Sequence, residues 1–120
     1  MPGGKIEPGE SPYQAASREL REETNLLCYA CEFMGQISGE FGQVHVIKCM
    51  TPVHAEARQM EEQPIYTLWL DEALNHPKLI PNLKLVIPLC LANIKMWDIC
   101  DTRGVMNYAG MGLQHKVLFG

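Results

Sequence analysis

A helix with three carboxylates on one face is the feature that most restricts how this chain can fold. Residues 4–26 read GKIEPGESPYQAASRELREETNL. The acidic residues Glu19, Glu22 and Glu23 stand at positions i, i+3 and i+4, and a helix places such side chains about 5–6 Å apart. Because like charges repel at this distance, the fold must supply a compensating positive charge.

The local sequence predicts that this segment is helical. Ser11 is a suitable N-cap, Pro12 is tolerated at the first helical position, and good helix formers follow. Asn25 tolerates the left-handed conformation in which many helices end. The apolar residues Ala15 and Leu20 mark the side that we expect to face the core. The acidic side then points away from the core.

A divalent cation would make this acidic face tolerable. Mg²⁺ prefers oxygen ligands, and proteins typically hold it with one or two carboxylates while waters and substrate phosphates fill the remaining positions. An ordinary solvated helix face is the simpler interpretation of acidic residues at helical spacing. It does not explain why Gly4, Glu10 and Arg18 stand at fixed offsets from the cluster.

The segment resembles the Nudix box, the motif of the Nudix (MutT-like) hydrolases. That motif is G-x5-E-x7-R-E-U-x-E-E-x-G-U, where U is an aliphatic residue, and it matches residues 4–26 at every defining position except the last glycine, which is Asn25 here. Asn is the mildest replacement for glycine at a helix C-cap, so we expect the geometry to be kept. The chain is identified as a member of the Nudix family on this resemblance.

The resemblance implies hydrolysis of a nucleoside diphosphate linked to another group, by substitution of water at phosphorus, with Mg²⁺ or Mn²⁺ as cofactor. It assigns Glu22 and Glu23 as the principal metal ligands, and Glu19 as a further ligand or the general base. Bound metal ions polarise the diphosphate and lower the pKa of a bound water.

The resemblance also assigns roles to the residues around the three glutamates. A backbone carbonyl of Gly3 or Gly4 would reach the metal, and Gly4 is our choice. Arg18 would act in catalysis by orienting Glu19 and Glu10 through charge-assisted hydrogen bonds, without touching the substrate.

Composition places the chain among small globular proteins. With 120 residues, of which 47% are hydrophobic, we expect one domain spanning residues 1–120. The net charge of -4 argues against a nucleic-acid-binding module. We find no signal peptide and no apolar run long enough for a membrane span, and therefore expect a soluble, cytoplasmic protein without membrane or nucleic-acid partners.

The five cysteines are Cys28, Cys31, Cys49, Cys90 and Cys100. Their odd number and low density fit thiols in a reducing cytosol better than a disulfide framework. Cys28 and Cys31 form a CxxC pair, which would need a second pair for a structural zinc site. We therefore favour core thiols over zinc.

The pattern after the box predicts an α+β fold, namely a Nudix-like α/β/α sandwich around a mixed sheet. Residues 26–34 and 43–50 read as strands, with a turn region marked by Gly35, Gly39 and Gly42 between them, and residues 65–70 read as a third strand. Asp71 is expected to cap a short turn. Residues 83–95 are expected to form a helix that packs on the sheet, and Pro88 either kinks this helix or marks its start.

An acidic loop at residues 53–63 adds a further candidate. In several members of the family that the box resembles, a glutamate of this loop serves as a metal ligand or as the base. Glu61 or Glu62 would take that role here, and we prefer Glu62 as a catalytic residue.

The two ends of the chain depart from the family pattern. Only three residues precede the box, whereas Nudix domains usually carry several strands there, and residues 96–120 extend beyond the usual last helix. Residues 106–113 and 114–119 read as two strands. We hypothesise that they complete the sheet as in a circular permutation, within one chain or by exchange in a homodimer. A truncated domain with an unrelated tail is the alternative.

Two functional classes stay open from the sequence. One is a metal-dependent hydrolase acting on a nucleoside triphosphate or related nucleotide, as in the MutT-like members that the box resembles. The other is a binding or remnant domain that keeps the box but is catalytically impaired. The intact acidic cluster favours the enzyme.

Overall fold

The computed structural model describes residues 3–52, 54–62, 70–102, 105–110 and 113–118, with backbone alone for the last of these segments. The elements are helix α1 (Pro12–Thr24), strands β1 (Ala30–Gly39) and β2 (Gly42–Met50), helices α2 (Leu70–Leu74) and α3 (Leu83–Leu91), and strands β3 (Trp97–Thr102), β4 (Val105–Gly110) and β5 (Leu113–Leu118). The predicted strand at residues 65–70 lies outside the described residues except for its last position, Leu70, which begins α2.

Helix α1 begins and ends where the sequence predicts. The Ser11 hydroxyl accepts the Gln14 backbone N–H at 3.1 Å, and the Gln14 side chain accepts the Ser11 N–H at 2.8 Å, so the two residues form a capping box. Asn25 closes the helix with φ 61°, in the left-handed region. Asn25 therefore does what the missing glycine of the motif would do.

The sheet is mixed and has the strand order β2-β1-β3-β4-β5. Residues 40–41 alone join β1 to β2, a connection that allows only antiparallel pairing. β1 runs parallel to β3, and β3, β4 and β5 are antiparallel neighbours. This combination of helices with a mixed sheet confirms the expected α+β, Nudix-like fold class.

The two C-terminal strands pair within one chain. β4 lies between β3 and β5, and β5 forms one edge of the sheet, with Val105 opposite Leu118 and Gly110 opposite Leu113. The extension is therefore not an unrelated tail. Whether these strands occupy the positions of the family's N-terminal strands stays a prediction.

The contacts of the chain define two compact units. One comprises residues 1–32 and 47–67, and the other residues 33–46 and 68–120. Strands β1 and β2 contribute residues to both. A membrane-crossing helix is not found in the described part of the chain, because every helix there is too short or too polar for a bilayer.

The hydrophobic core of the second unit lies between α3 and one face of the sheet. Its buried members are Met34, Ile37, Val46, Leu83, Val86, Trp97, Ile99 and Met106. Gly35 lies inside β1 opposite Trp97, and a Cβ atom at this position would collide with the Trp97 ring and carbonyl. The prediction that Gly35 belongs to a turn is therefore wrong: the glycine provides space for the tryptophan.

Helix α3 is shorter than predicted. The N–H of Asn93 bonds to the Cys90 carbonyl and the N–H of Ile94 to the Leu89 carbonyl, which is the Schellman arrangement, with Asn93 at φ 60°. The helix consequently ends at Leu91 instead of continuing to Lys95. Pro88 lies inside it and does not mark its start.

Three further features of the secondary structure differ from the prediction. β1 begins at Ala30 and not at Leu26, because the residues after Asn25 are used to leave the helix. Asp71 lies within α2 and does not cap it. Strand β3 was not predicted, although its burial alternates, with Trp97 and Ile99 buried and Asp98 and Cys100 exposed.

Candidate functional site

The guanidinium of Arg18 organises the acidic face of α1. It makes a two-pronged contact with Glu10, from Nε to Oε2 at 2.8 Å and from Nη2 to Oε1 at 3.1 Å. Nη1 donates to Glu19 at 2.9 Å and to Glu22 at 3.2 Å. Nη2 also donates to the Lys5 carbonyl at 3.0 Å. The single positive charge of Arg18 therefore holds three carboxylates and the loop that precedes the helix.

The electrostatic consequences follow from these contacts. The hydrogen bond from Arg18, together with one from the Glu7 backbone, holds the pKa of Glu10 below its ordinary value. The same bond with Glu10 raises the pKa of Arg18, against the opposing effect of desolvation. Arg18 is thus permanently charged, and Glu10 is its ionised partner at neutral pH.

The loop before the helix passes very close to Glu19. A Cβ atom built on Gly4 would collide with the Glu19 carboxylate, lying 2.5 Å from Cδ and 2.9 Å from Oε2. Carbon atoms in ordinary contact are about 3.5–4.0 Å apart. Only glycine lets the backbone approach this carboxylate so closely, so the Gly4 backbone and the Glu19 oxygens lie side by side.

Glu23 lies at the other end of the acidic face, close to a returning loop. The Met60 N–H donates to the Glu23 carbonyl at 3.2 Å, and the Arg58 N–H donates to the Thr24 carbonyl at 2.8 Å. Burial raises the pKa of the Glu23 carboxyl, and the negative charges of Glu19 and Glu61 raise it further, while a hydrogen bond from the Gly3 N–H lowers it. Negative charge from two elements therefore converges on Glu23.

Comparison with known families agrees with this geometry. A family model described as the NUDIX domain matches residues 1–82, which is more than half of the chain. The chain belongs to the Nudix family. Membership supports hydrolysis of nucleoside diphosphate-linked compounds in general. The match ends before β3, so the three C-terminal strands lie outside the matched region.

The Nudix box residues do not form a closed metal cage. Among the residues that the structure describes, no group of three His, Cys, Asp or Glu side chains is arranged to hold a metal ion. Two of the carboxylates, Glu19 and Glu22, turn towards Arg18. Mg²⁺ keeps several waters and needs only one or two protein carboxylates, so a closed cage is not required.

The chemistry of these donors nevertheless fits a hard divalent cation. All the candidate groups are oxygen donors, namely the carboxylates of Glu19, Glu22 and Glu23 and the carbonyl of Gly4. Burial raises the pKa of Glu23 most, and the negative charges of Glu19 and Glu61 raise it further; a bound cation would offset both effects. The side chain of Glu22 is half exposed and accessible to a ligand.

The structure brings together most of the residues that the sequence singled out. Arg18 contacts Glu10, Glu19 and Glu22, and Gly4 abuts Glu19. Of the two loop candidates, Glu61 is the residue whose charge acts on Glu23. Glu62 is exposed.

Two features of the Nudix site were not found from the sequence. The Lys5 carbonyl accepts a hydrogen bond from Arg18, and the N–H groups of Arg58 and Met60 bind the C-terminal carbonyls of α1. All of these contacts involve the backbone on at least one side. Since every residue carries the same backbone groups, no sequence pattern could have indicated them.

Proposed function

We propose that this Nudix protein hydrolyses nucleoside triphosphates or related nucleoside diphosphate-linked compounds, with Mg²⁺ or Mn²⁺ as cofactor. The observation that carries the proposal is the set of Arg18 contacts, which joins Glu10 in the preceding loop to Glu19 and Glu22 on α1. A helix surface that is only solvated would not need Arg18 to be shared by three carboxylates, nor Gly4 to lie beside Glu19.

The cation would be held by the carboxylates of Glu22, Glu23 and Glu19 and by the Gly4 carbonyl. When bound, it would supply polarisation of the diphosphate and activation of water. The chain's own contribution is positional: Arg18 fixes the carboxylates of Glu19 and Glu22, while Glu10 fixes Arg18. Arg18 therefore acts as a positioning residue.

The proton from the attacking water needs a carboxylate acceptor. Glu19 is one candidate, because its oxygens lie beside the Gly4 backbone. A glutamate of the returning loop is the other. Glu61 has the support of its electrostatic effect on Glu23, so we favour it over Glu62, which the sequence analysis preferred. Glu61→Gln and Glu62→Gln form a matched pair for this choice, and the larger loss of kcat identifies the participating residue.

The finer properties follow from the same reasoning. A triphosphate substrate is favoured by the resemblance of the box to the MutT-like subgroup. All five cysteines are present as thiols and not as disulfides, which supports a reducing compartment such as the cytoplasm. A homodimer is also proposed, because β2 and β5 are the outer strands of the sheet in the part of the chain that the structure describes, and edge strands readily pair with a second chain.

A substrate panel tests the proposed function. Nucleoside triphosphates, dinucleoside polyphosphates and nucleotide sugars would each be incubated with the protein in Mg²⁺, in Mn²⁺ and in excess chelator. We expect release of phosphate, pyrophosphate or a nucleoside monophosphate from at least one class, and its loss in chelator. A folded protein that binds the cation but turns over no substrate would instead support the impaired, remnant domain.

A further inference from the structure

Three of the five thiols meet at one place next to the box. Cys28 lies between α1 and β1, Cys31 is the second residue of β1, and Cys49 is near the end of β2. The Cys28 thiol donates to the Ala30 carbonyl at 3.0 Å. Burial raises the pKa of the Cys31 and Cys49 thiols, and for both of them a hydrogen bond with the Cys28 side chain raises it further. Cys28 is therefore the shared neighbour of the other two.

The backbone explains how these thiols come together. The chain bends at Tyr29, and the Tyr29 N–H donates to the Met50 carbonyl at 3.0 Å. This bond fixes the segment before β1 against the end of β2. Only two residues separate Cys28 from Cys31, and the bend lies between them. All three thiols are partly exposed, so a small reagent can reach them.

The arrangement does not suit a metal. No group of three metal-ligating side chains is found in the parts of the chain that the structure describes. Burial raises the pKa of Cys49 to about 12 and also raises that of Cys31. Thiolates are the form that binds metals, so the raised pKa values weaken metal binding at this place; the same protonation slows thiol–disulfide exchange without preventing it.

We propose that Cys28, Cys31 and Cys49 form a reversible disulfide centre in which Cys28 is the obligatory partner and bonds to either Cys31 or Cys49. The oxidant is a low-molecular-weight disulfide of the glutathione class. The resting form is the reduced one, in agreement with the free thiols of the structure.

The reaction is a pair of thiol–disulfide exchanges. The Cys28 thiol leaves its hydrogen bond with the Ala30 carbonyl and loses its proton to solvent; the thiolate then attacks the small disulfide, forming a mixed disulfide and releasing one small thiolate, which takes up a proton. The neighbouring cysteine then attacks the Cys28 sulfur and releases the second small thiol. Two protein thiols are oxidised, one external disulfide is reduced to two thiols, and the two protons from the protein thiols end on the released molecules.

The protonated state of the neighbouring thiols sets the pace. A neutral thiol is a poor nucleophile, so the second exchange is slow for a pair in contact, on the scale of minutes to hours. The centre is thus expected to respond to sustained oxidation, and to be fully reversed by a dithiol reductant.

Peptide mapping distinguishes the two pairings. The reduced, folded full chain is incubated with oxidised glutathione, quenched in acid, alkylated and digested with trypsin. Cys28 and Cys31 fall in the same tryptic peptide, residues 22–48, whereas Cys49 falls in the next, residues 49–58. A Cys28–Cys31 bridge therefore leaves peptide 22–48 without alkyl groups and about 2 Da lighter than its dithiol form, whereas a Cys28–Cys49 bridge links two peptides.

Matched variants complete the test. We expect Cys100→Ser, which removes an exposed thiol on β3, to form the bridge as the native chain does. Cys28→Ser is expected to form none, and the same oxidation in denaturant to scatter the pairing over all five cysteines. Glutathione adducts without a bridge, a bridge that persists in Cys28→Ser, or zinc retained by the reduced chain and released on alkylation would each overturn the proposal. The map of the native chain decides the matter even if a variant fails to fold.

Discussion

Gly4→Ala separates the stability of the fold from the geometry of the site. The added methyl carbon would lie 2.5 Å from the Glu19 Cδ atom, whereas carbon contacts normally require about 3.5 Å or more. Relief therefore needs a displacement of roughly 1 Å. The carboxylate is the free end of a flexible side chain, so it can move, but only by disturbing its 2.9 Å bond to Arg18.

A displacement of this size at a reacting group lowers turnover by about 100-fold, equivalent to about 2.7 kcal/mol in the activation free energy. The free energy of unfolding should change by no more than about 1 kcal/mol, because the backbone of Gly4 is not in the left-handed region and an alanine fits it. The measurements are kcat with Mg²⁺ and chemical denaturation of the same preparations.

Gly3→Ala is the matched control. It adds the same methyl group one residue earlier, where no atom lies within 4 Å, and it keeps the backbone N–H and carbonyl. We expect its kcat to stay within about threefold of the native value, since nothing is displaced. Equal activity of the two alanine variants would refute the claim that the position of Glu19 beside Gly4 matters for turnover.

Three further substitutions give distinct results. Arg18→Lys cannot reproduce the forked contacts and should reduce kcat by about 10- to 100-fold, measured by steady-state kinetics across a Mg²⁺ titration; an unchanged kcat would contradict the positioning role. Asn25→Val should lower the free energy of unfolding by about 1–2 kcal/mol, because a β-branched residue is strained at φ 61°, whereas Asn25→Gly should not. Gly35→Ala should lower the free energy of unfolding by about 1–3 kcal/mol, because the added methyl group crowds Trp97. Denaturant titration measures this loss, and an unfolding midpoint equal to that of the native chain would disprove it.

Local signals in the sequence were sufficient for α1 and its site. Ser11, Pro12 and Asn25 mark the helix ends by interactions within a few residues, so their effect is visible without tertiary context. The same holds for the spacing of Arg18 and the glutamates, since a helix alone brings residues i and i+4 together.

Long-range pairing explains what the sequence did not reveal. Gly35 looks like a turn residue until it is placed opposite Trp97, which lies far along the chain in a parallel strand. The sequence pattern does not indicate β3, because this strand follows α3 closely and lies in the extension beyond the expected last helix. Asn82 resembles an ordinary helix cap, yet its amide donates to Asp101 at 3.2 Å instead.

The choice between the loop glutamates also depended on tertiary structure. Glu61 and Glu62 are neighbours with the same chemistry, so no sequence pattern separates them. The return of the loop to the end of α1, fixed by backbone bonds to Glu23 and Thr24, gives Glu61 its influence on the site.

The most direct measurement is metal-dependent turnover of the native chain beside Glu22→Gln, with Glu72→Gln as control. Glu72 is an exposed glutamate on α2, outside the box. The account predicts Mg²⁺- or Mn²⁺-dependent hydrolysis of a nucleoside diphosphate-linked substrate by the native chain and by Glu72→Gln, and a loss of at least about 100-fold in Glu22→Gln. Equal turnover by Glu22→Gln, or turnover that persists in chelator, would contradict it.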